Sequence, residues 1–148
     1  MADDSLNLGL LLFIPYRALE NRVFAALRAQ GFADFTPAQA RVFQRIAPGG
    51  TRLTDLAERA QVTKQTAGFL VDQLEKAGYV ARVPDPADAR ARLVRIAARG
   101  AAAIPIAAAA VAEVEEEWVA HLGVEATERL RGTLTRLREI TDPFTADS

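Results

Sequence analysis

The sequence predicts a mainly α-helical chain that carries one small β-hairpin, which is an α+β arrangement. Three observations predict this fold class. Apolar residues recur every three or four positions along most of the 148 residues, as they do on one face of an amphipathic helix. Threonines placed to cap helices and glycines placed to end them divide this pattern into segments. Residues 79–96 contain two short β-prone stretches with prolines between them, which predict the hairpin.

The first helix is predicted within residues 6–31. Its apolar side chains follow helical spacing, at Leu12, Tyr16, Leu19, Val23 and Leu27. Pro15 lies inside this pattern and removes one backbone donor, so we expect the helix to start or to bend there. Gly31 ends the helix.

The second helix has a strong start signal. Thr36 is placed to cap it, Pro37 occupies the first helical position, and Gln39 can bond back to the capping residue. The Pro-Gly-Gly of residues 48–50 ends this short helix.

Two further helices are predicted on either side of a tight turn. Thr54 is placed to cap the first of them and Thr63 the second, and Gly78 ends the second in a left-handed conformation. When the apolar side of the second helix faces inward, its other side is polar and cationic near the start. That outward side carries Lys64, Gln65, Gly68, Phe69, Asp72 and Lys76.

The hairpin follows these two helices directly. Short strands are predicted at residues 79–83 and 92–96. Residues 84–91 make a connection too long for a tight turn, so we expect a loop that projects from the body. Helix, helix and hairpin in this order are typical of a winged helix-turn-helix. In that fold the second helix enters the major groove and the hairpin, or wing, contacts the DNA backbone or the minor groove.

The distribution of charge indicates a polyanionic partner. The chain carries 18 basic and 19 acidic residues, but residues 51–99 carry nine basic and only six acidic ones. A basic middle between acidic ends is expected when the middle meets nucleic acid and the ends meet something else.

The composition excludes most catalytic chemistry. There is no cysteine, His121 is the only histidine, and the only serines, Ser5 and Ser148, lie near the ends. A Ser-His-Asp arrangement therefore lacks a nucleophile on rigid structure, and a typical zinc site lacks its ligands. A Gly-rich phosphate-binding loop is also missing. We expect no catalytic residue, no metal and no cofactor, so the protein is not predicted to be an enzyme.

No membrane contact is expected either. The most apolar run, residues 101–112, is interrupted by Pro105 and is shorter than the roughly 20 residues of a membrane span. The acidic start at Asp3 and Asp4 does not fit a signal peptide. We therefore expect a cytoplasmic protein.

Three stretches in the middle of the chain can be read together as one pattern. They are VTKQT at residues 62–66, LVDQLEKAGYV at 70–80 and DPADARARLV at 85–94. In this order they resemble the recognition helix and wing of the MarR family of transcriptional regulators, with the resemblance covering residues 36–100. It implies a single domain over residues 1–148, with a winged lobe at 36–97. It also implies dimerisation helices at 6–31 and 98–141, which would join two copies into a homodimer.

The resemblance implies DNA contacts for ten residues: Thr63, Lys64, Gln65, Thr66, Gly68, Phe69, Arg82, Asp88, Arg90 and Arg92. Lys64 and Gln65 suit the reading of base edges, with an ordinary solvated helix face as the alternative. Thr63 and Thr66 could bond phosphate, although Thr63 could equally serve as the helix cap.

Two positions in the recognition helix are unusual. Gly68 costs about 1 kcal/mol in a helix interior relative to alanine, which close approach to DNA would explain and genetic drift would explain equally. Phe69 could meet a thymine methyl group or pack on the neighbouring helix, and we favour packing.

In the wing, the resemblance implies that Arg90 enters the minor groove and that Asp88 orients it. Narrow minor grooves attract such cations. Arg82 and Arg92 lie on the strands, where they either contact phosphates or are ordinary exposed residues.

The resemblance further implies a small aromatic or anionic effector, bound between the dimerisation helices and the winged lobe. The candidate pocket residues are Phe13, Tyr16, Arg17, Trp118 and His121, and the alternative is that the aromatic ones form the dimer core. The expected function is a homodimeric, sequence-specific regulator that binds a pseudo-palindromic operator in double-stranded DNA and acts as an effector-responsive repressor. The competing interpretation is a winged-helix module that binds protein and has no specific affinity for DNA.

Overall fold

The computed structural model describes residues 5–142 and residue 144, and in that part the chain forms six helices and one antiparallel hairpin. The helices are α1 (Leu8–Ala29), α2 (Pro37–Phe43), α3 (Leu53–Ala60), α4 (Lys64–Lys76), α5 (Ala98–Leu122) and α6 (Val124–Thr141). The strands are β1 (Val80–Asp85) and β2 (Asp88–Ile96). Thr51 adds a single bridge to Val94, outside the two strands. The predicted fold class is confirmed.

Two of the three threonines predicted to cap helices do so. Thr36 and Gln39 form the reciprocal capping box at α2, with Pro37 as its first residue. Thr63 caps α4 through its hydroxyl, which accepts from the backbone N–H of Thr66 at 3.0 Å. The prediction for Thr54 is wrong: the N-cap of α3 is Arg52, two residues earlier, and it makes no side-chain cap hydrogen bond.

The prediction of a long wing loop is also wrong. Only Pro86 and Ala87 separate the two strands, because Asp85 pairs with Asp88 across a tight turn. The Asp85 carboxylate accepts from the backbone N–H of Ala87 at 2.9 Å and so closes this turn locally. The register shifts between Pro84 and Asp85, and the extra residues 89–91 lie on β2 near the tip.

The core of the winged lobe is built around Tyr79, the residue that precedes β1. Its ring is fully buried and stacks on Phe35, with a centroid distance of 4.7 Å. The Tyr79 hydroxyl donates to Asp34 at 2.6 Å, and the Arg99 guanidinium lies 4.5 Å from the ring centroid. Gly100 in α5 passes so close that an added Cβ would lie 2.3 Å from the Tyr79 carbonyl oxygen. This contact fixes the start of α5 against the lobe.

Helices α1 and α5 pack against each other, and Phe24, Leu27 and Ala103 join the core of the lobe. Helix α1 begins at Leu8 and continues through Pro15, so the helix does not start at the proline. Only its C-terminal half is covered, with Phe24 and Leu27 buried, whereas Leu8 and Phe13 are exposed. Helix α6 has no buried residue. No helix among the described residues is long and apolar enough to span a membrane.

Candidate nucleic-acid interface

The start of α4 presents a polar, cationic surface. Lys64, Gln65 and Thr66 are all exposed. The hydroxyl of Thr63 is engaged in the helix cap and also donates to the Thr66 hydroxyl at 2.9 Å. The side chains of Lys64 and Gln65 are exposed at this end of the helix, on the outward side where the sequence predicts them. The first backbone N–H groups of a helix favour anions, and this suits a phosphate-bearing partner.

Gly68 and Phe69 lie on the outward side of the same helix. Phe69 is 61% exposed, so our expectation that it packs on the neighbouring helix is wrong. The inward positions of α4 are already filled by Ala67, Leu70 and Val71, which leaves the Phe69 ring on the outer face. An added Cβ at Gly68 would lie 3.7 Å from Leu53 Cδ2, which is ordinary van der Waals contact. Nothing among the described residues therefore requires a glycine there.

The wing tip carries the most exposed cation of the interface. The Arg90 side chain is 95% exposed. Asp88 lies beside it: its Oδ1 accepts from the Arg90 backbone N–H at 3.0 Å and lies 3.9 Å from the Arg90 Nε. The structure thus brings together the arginine and the carboxylate that the sequence predicts as a pair.

Arg52 is a residue of this region that sequence reasoning missed. It precedes α3, and its Nε and one terminal nitrogen lie 2.8 and 2.7 Å from the Asp85 Oδ2. The Ala87 N–H and then the Arg52 guanidinium lower the pKa of Asp85. This ion pair holds the wing turn against the start of α3, across 33 positions of sequence. No local pattern predicts this ion pair, because the two residues are far apart in sequence and Arg52 is brought to the hairpin next to the bridge between Thr51 and Val94.

A cleft of about 390 Å³ separates the start of α4 from the base of the wing. Four cations line it: Arg52, Lys64, Arg82 and Arg92. Arg82 is the least available of them, since it is 17% exposed and forms 2.8 Å ion pairs with both Asp72 and Glu75. Arg92 is exposed. The cleft is therefore cationic and open, with α4 on one side and the wing on the other.

A second cavity, of about 410 Å³, lies between α1, α2 and α5. Its lining is mostly apolar, with Tyr16, Glu20, Arg41 and Gln44 as its polar residues, and Glu20 is only 6% exposed. The Tyr16 hydroxyl donates to Glu20 at 3.0 Å, Arg41 lies 3.4 Å from the same carboxylate oxygen, and Arg17 pairs with the other oxygen. Burial and the neighbouring Glu20 raise the pKa of Tyr16.

The residues predicted for an effector pocket are only partly brought together. Tyr16 lines the second cavity, and Arg17 lies next to it through its ion pair with Glu20. Phe13, Trp118 and His121 are not among the described residues that line it. Phe13 and His121 are exposed and Trp118 is half-buried. Of the pocket residues that the resemblance implies, Tyr16 alone is among the described lining residues, and the lining residues contributed by α2 were not predicted.

An exposed helix start beside a cationic hairpin, carried on a helix-turn-helix, defines the class of winged-helix transcriptional regulators. A model of the MarR family matches residues 33–91. Over 126 residues the chain is 35% identical to the transcriptional regulator HosA of Escherichia coli O111:H-, covering 75% of this chain and 90% of that protein. The protein belongs to the MarR family.

Solved structures agree with this assignment. A MarR family protein of Mycobacterium tuberculosis in complex with salicylic acid is 28% identical, with a TM-score of 0.64 and coverage of 91% of this chain and 98% of that one. A transcriptional regulator of Thermotoga maritima is 29% identical, with a TM-score of 0.56 and coverage of 84% and 89%. The resemblance inferred from the three sequence stretches is confirmed, and the protein is a transcriptional regulator rather than an enzyme.

Proposed function

We propose that this protein is a homodimeric regulator that binds a specific pseudo-palindromic DNA operator in the cytoplasm and acts as an effector-responsive repressor. The observation that carries the proposal is the cationic cleft between α4 and the wing. Lys64 lines it from α4 and Arg92 from the wing, and the Arg90 side chain is 95% exposed at the wing tip. A helix in the major groove with a wing on the adjacent backbone or minor groove needs this arrangement.

The proposal of a homodimer rests on apolar surface that the single chain leaves uncovered. Helix α6 exposes one apolar row, Leu130, Leu134, Leu137 and Ile140, and Ile140 is 85% exposed. The first turns of α1 expose another, at Leu8, Leu10, Leu11 and Leu12. Patches of this kind on a monomer mark an interaction surface. A two-fold axis through these helices would place two α4 helices about 34–36 Å apart, one DNA turn, which is why the operator should be pseudo-palindromic.

The second cavity is the proposed effector site. It lies where the α1 and α5 arms meet α2 of the winged lobe, so a ligand there would affect how the lobe is held. Tyr16 and Arg41 flank its single buried carboxylate and offer polar partners to a small aromatic or anionic molecule. The M. tuberculosis relative with salicylic acid bound supports this ligand class. Coupling between such sites is typically about 1–3 kcal/mol.

Titration with DNA tests the proposal. If a dimer neutralises about eight phosphates, log affinity should fall with log salt at a slope near −7. A selected operator should bind at least about a thousandfold more tightly than random DNA. A shallow slope without sequence preference would contradict DNA recognition and favour a winged-helix module that binds protein.

Single substitutions test which surface of the protein binds DNA. Lys64→Ala and Gln65→Ala should each lose about 1–3 kcal/mol of operator affinity and relax preference at one base pair per half-site. Arg90→Ala should weaken binding most at AT-rich flanks, where the minor groove is narrow. Arg131→Ala is the matched control, because it removes the same charge from α6, where Arg131 pairs with Glu115. Unchanged operator affinity in all three interface variants would show that another surface meets DNA.

A further inference from the structure

Phe69 is an apolar side chain on an otherwise polar and cationic surface. It is 61% exposed, whereas the neighbouring apolar positions of α4 are buried. Its neighbours one turn away on the helix surface are Gln65 and Asp72, which are both exposed. An exposed phenylalanine adds little to the stability of the free protein, so the role of Phe69 depends on the partner that covers its ring.

The position of Phe69 on α4 determines what it can meet. Gln65 and Phe69 are four residues apart, which places them on one side of the helix and about 6 Å apart along its axis. Base pairs in a duplex are about 3.4 Å apart. A helix that reads a base with Gln65 would therefore bring Phe69 to a base about two pairs further along.

The chemistry of the major groove selects one base for this contact. Each base pair presents hydrogen-bond donors and acceptors there, and a phenyl ring that covers them removes their water without replacing it. The thymine C5-methyl group is the apolar exception. A methyl group packed on the ring is taken out of water together with part of the ring, so thymine is the base that Phe69 favours.

The surrounding charge favours DNA over a protein as the occupant. Lys64 is exposed in the first turn of α4, and it lines the cleft together with Arg52 and Arg92. Phosphates on both sides of the groove neutralise these cations while the base edges reach Phe69.

We propose that Phe69 determines specificity by packing on the C5-methyl group of a thymine in each half-site, about two base pairs from the base contacted by Gln65. This rests on the proposed entry of α4 into the major groove. It makes one position of the operator sensitive to a methyl group alone, with no change in hydrogen bonding.

The test uses the full-length protein and a duplex that it has selected from a random-sequence pool. Each thymine is replaced in turn by deoxyuridine, which lacks only the methyl group. At one position per half-site we expect affinity to fall about fourfold, equivalent to about 0.8 kcal/mol for one buried methyl. Replacement in both half-sites should give about fifteenfold, because the contacts lie far apart and their effects multiply.

A double-mutant cycle assigns the effect to Phe69. The Phe69→Ala variant should bind the thymine and deoxyuridine duplexes equally, whereas Phe69→Leu should keep part of the difference. Because the side chain is exposed, Phe69→Ala should leave the thermal midpoint of the protein unchanged, and circular dichroism checks this.

Four results would overturn the proposal. Specific binding that no deoxyuridine replacement weakens would overturn the Phe69 contact while leaving the proposed function intact. A methyl effect that persists unchanged in Phe69→Ala would assign it to another residue. Absence of specific DNA binding by the wild-type protein would overturn both proposals, and a change in oligomeric state on Phe69→Ala with operator affinity unchanged would assign the ring to a protein contact.

Discussion

The substitution Gly68→Ala separates folding from DNA binding at a single position. Glycine inside a helix is less favourable than alanine by about 1 kcal/mol. The new Cβ would meet Leu53 Cδ2 at 3.7 Å, an ordinary contact, so the substitution adds no strain to the free protein. The variant should therefore be more stable by about 1 kcal/mol, or about 2–4 °C in thermal midpoint for a chain of this size.

The same methyl group should weaken operator binding. Gly68 lies between Lys64 and Phe69 on the outward side of α4, where the proposed DNA partner approaches the helix backbone. Filling a close contact costs about 1–3 kcal/mol, which would lower affinity by roughly five- to 150-fold. Chemical denaturation gives the stability, and fluorescence anisotropy with a labelled duplex gives the affinity.

Gly132→Ala provides the control for helix propensity. Gly132 lies inside α6, and an added Cβ there would meet nothing within 4 Å, so it should give a similar gain in stability. Its operator affinity should be unchanged, and sedimentation should verify that the oligomeric state is the same. A Gly68→Ala protein that binds its operator as tightly as the wild type would refute close approach at this position. A loss of stability would refute our account of the packing.

Three further perturbations test the fold itself. Gly100→Ala places a Cβ 2.3 Å from the Tyr79 carbonyl oxygen and should cost about 3 kcal/mol or more in urea denaturation; a neutral result would mean that α5 does not lie this close to the lobe. Tyr79→Phe removes the hydroxyl that donates to Asp34 and should cost about 1 kcal/mol at neutral pH. Burial, with Asp34 beside it, raises the pKa of Tyr79 to about 12, so this stabilisation is complete below pH 10 and is lost as the pH rises towards 12. Unfolding measured from pH 8 to 12 should therefore show the two proteins converging, and a constant difference would contradict the assignment. Arg45 and other donors lower the pKa of Asp142, so Asp142→Asn should destabilise at neutral pH, with the difference from wild type disappearing as the pH falls well below 4.

Local signals in the sequence predicted local structure well. The caps at Thr36 and Thr63 each depend on atoms three residues apart, so the residue types alone predict them. Gly78 adopts the left-handed conformation expected at the end of α4, with φ at +87°. The exposure of Lys64 and Gln65 likewise follows from helical periodicity.

The features that the sequence did not predict depend on contacts between distant segments. The wing turn is tight because Asp85 bonds to Ala87 and is also held by Arg52, far away in the chain. Proline-rich composition around residues 84–86 indicated a long loop and gave no sign of this pairing. The helical pattern placed Phe69 on the outward side, but we favoured packing on the neighbouring helix because apolar residue types are buried on average, whereas the buried positions of α4 are already filled.

The link between Arg52 and Asp85 has a mechanical consequence for DNA recognition. It joins the hairpin to α3, and α3 packs on α4, so in the proposed complex the helix placed in the major groove and the arginine placed in the minor groove are connected within one subunit. Their separation cannot be adjusted independently to fit a wider or narrower site. In the proposed dimer, an operator with one base pair inserted at its centre would have to be accommodated by rotation between the two subunits.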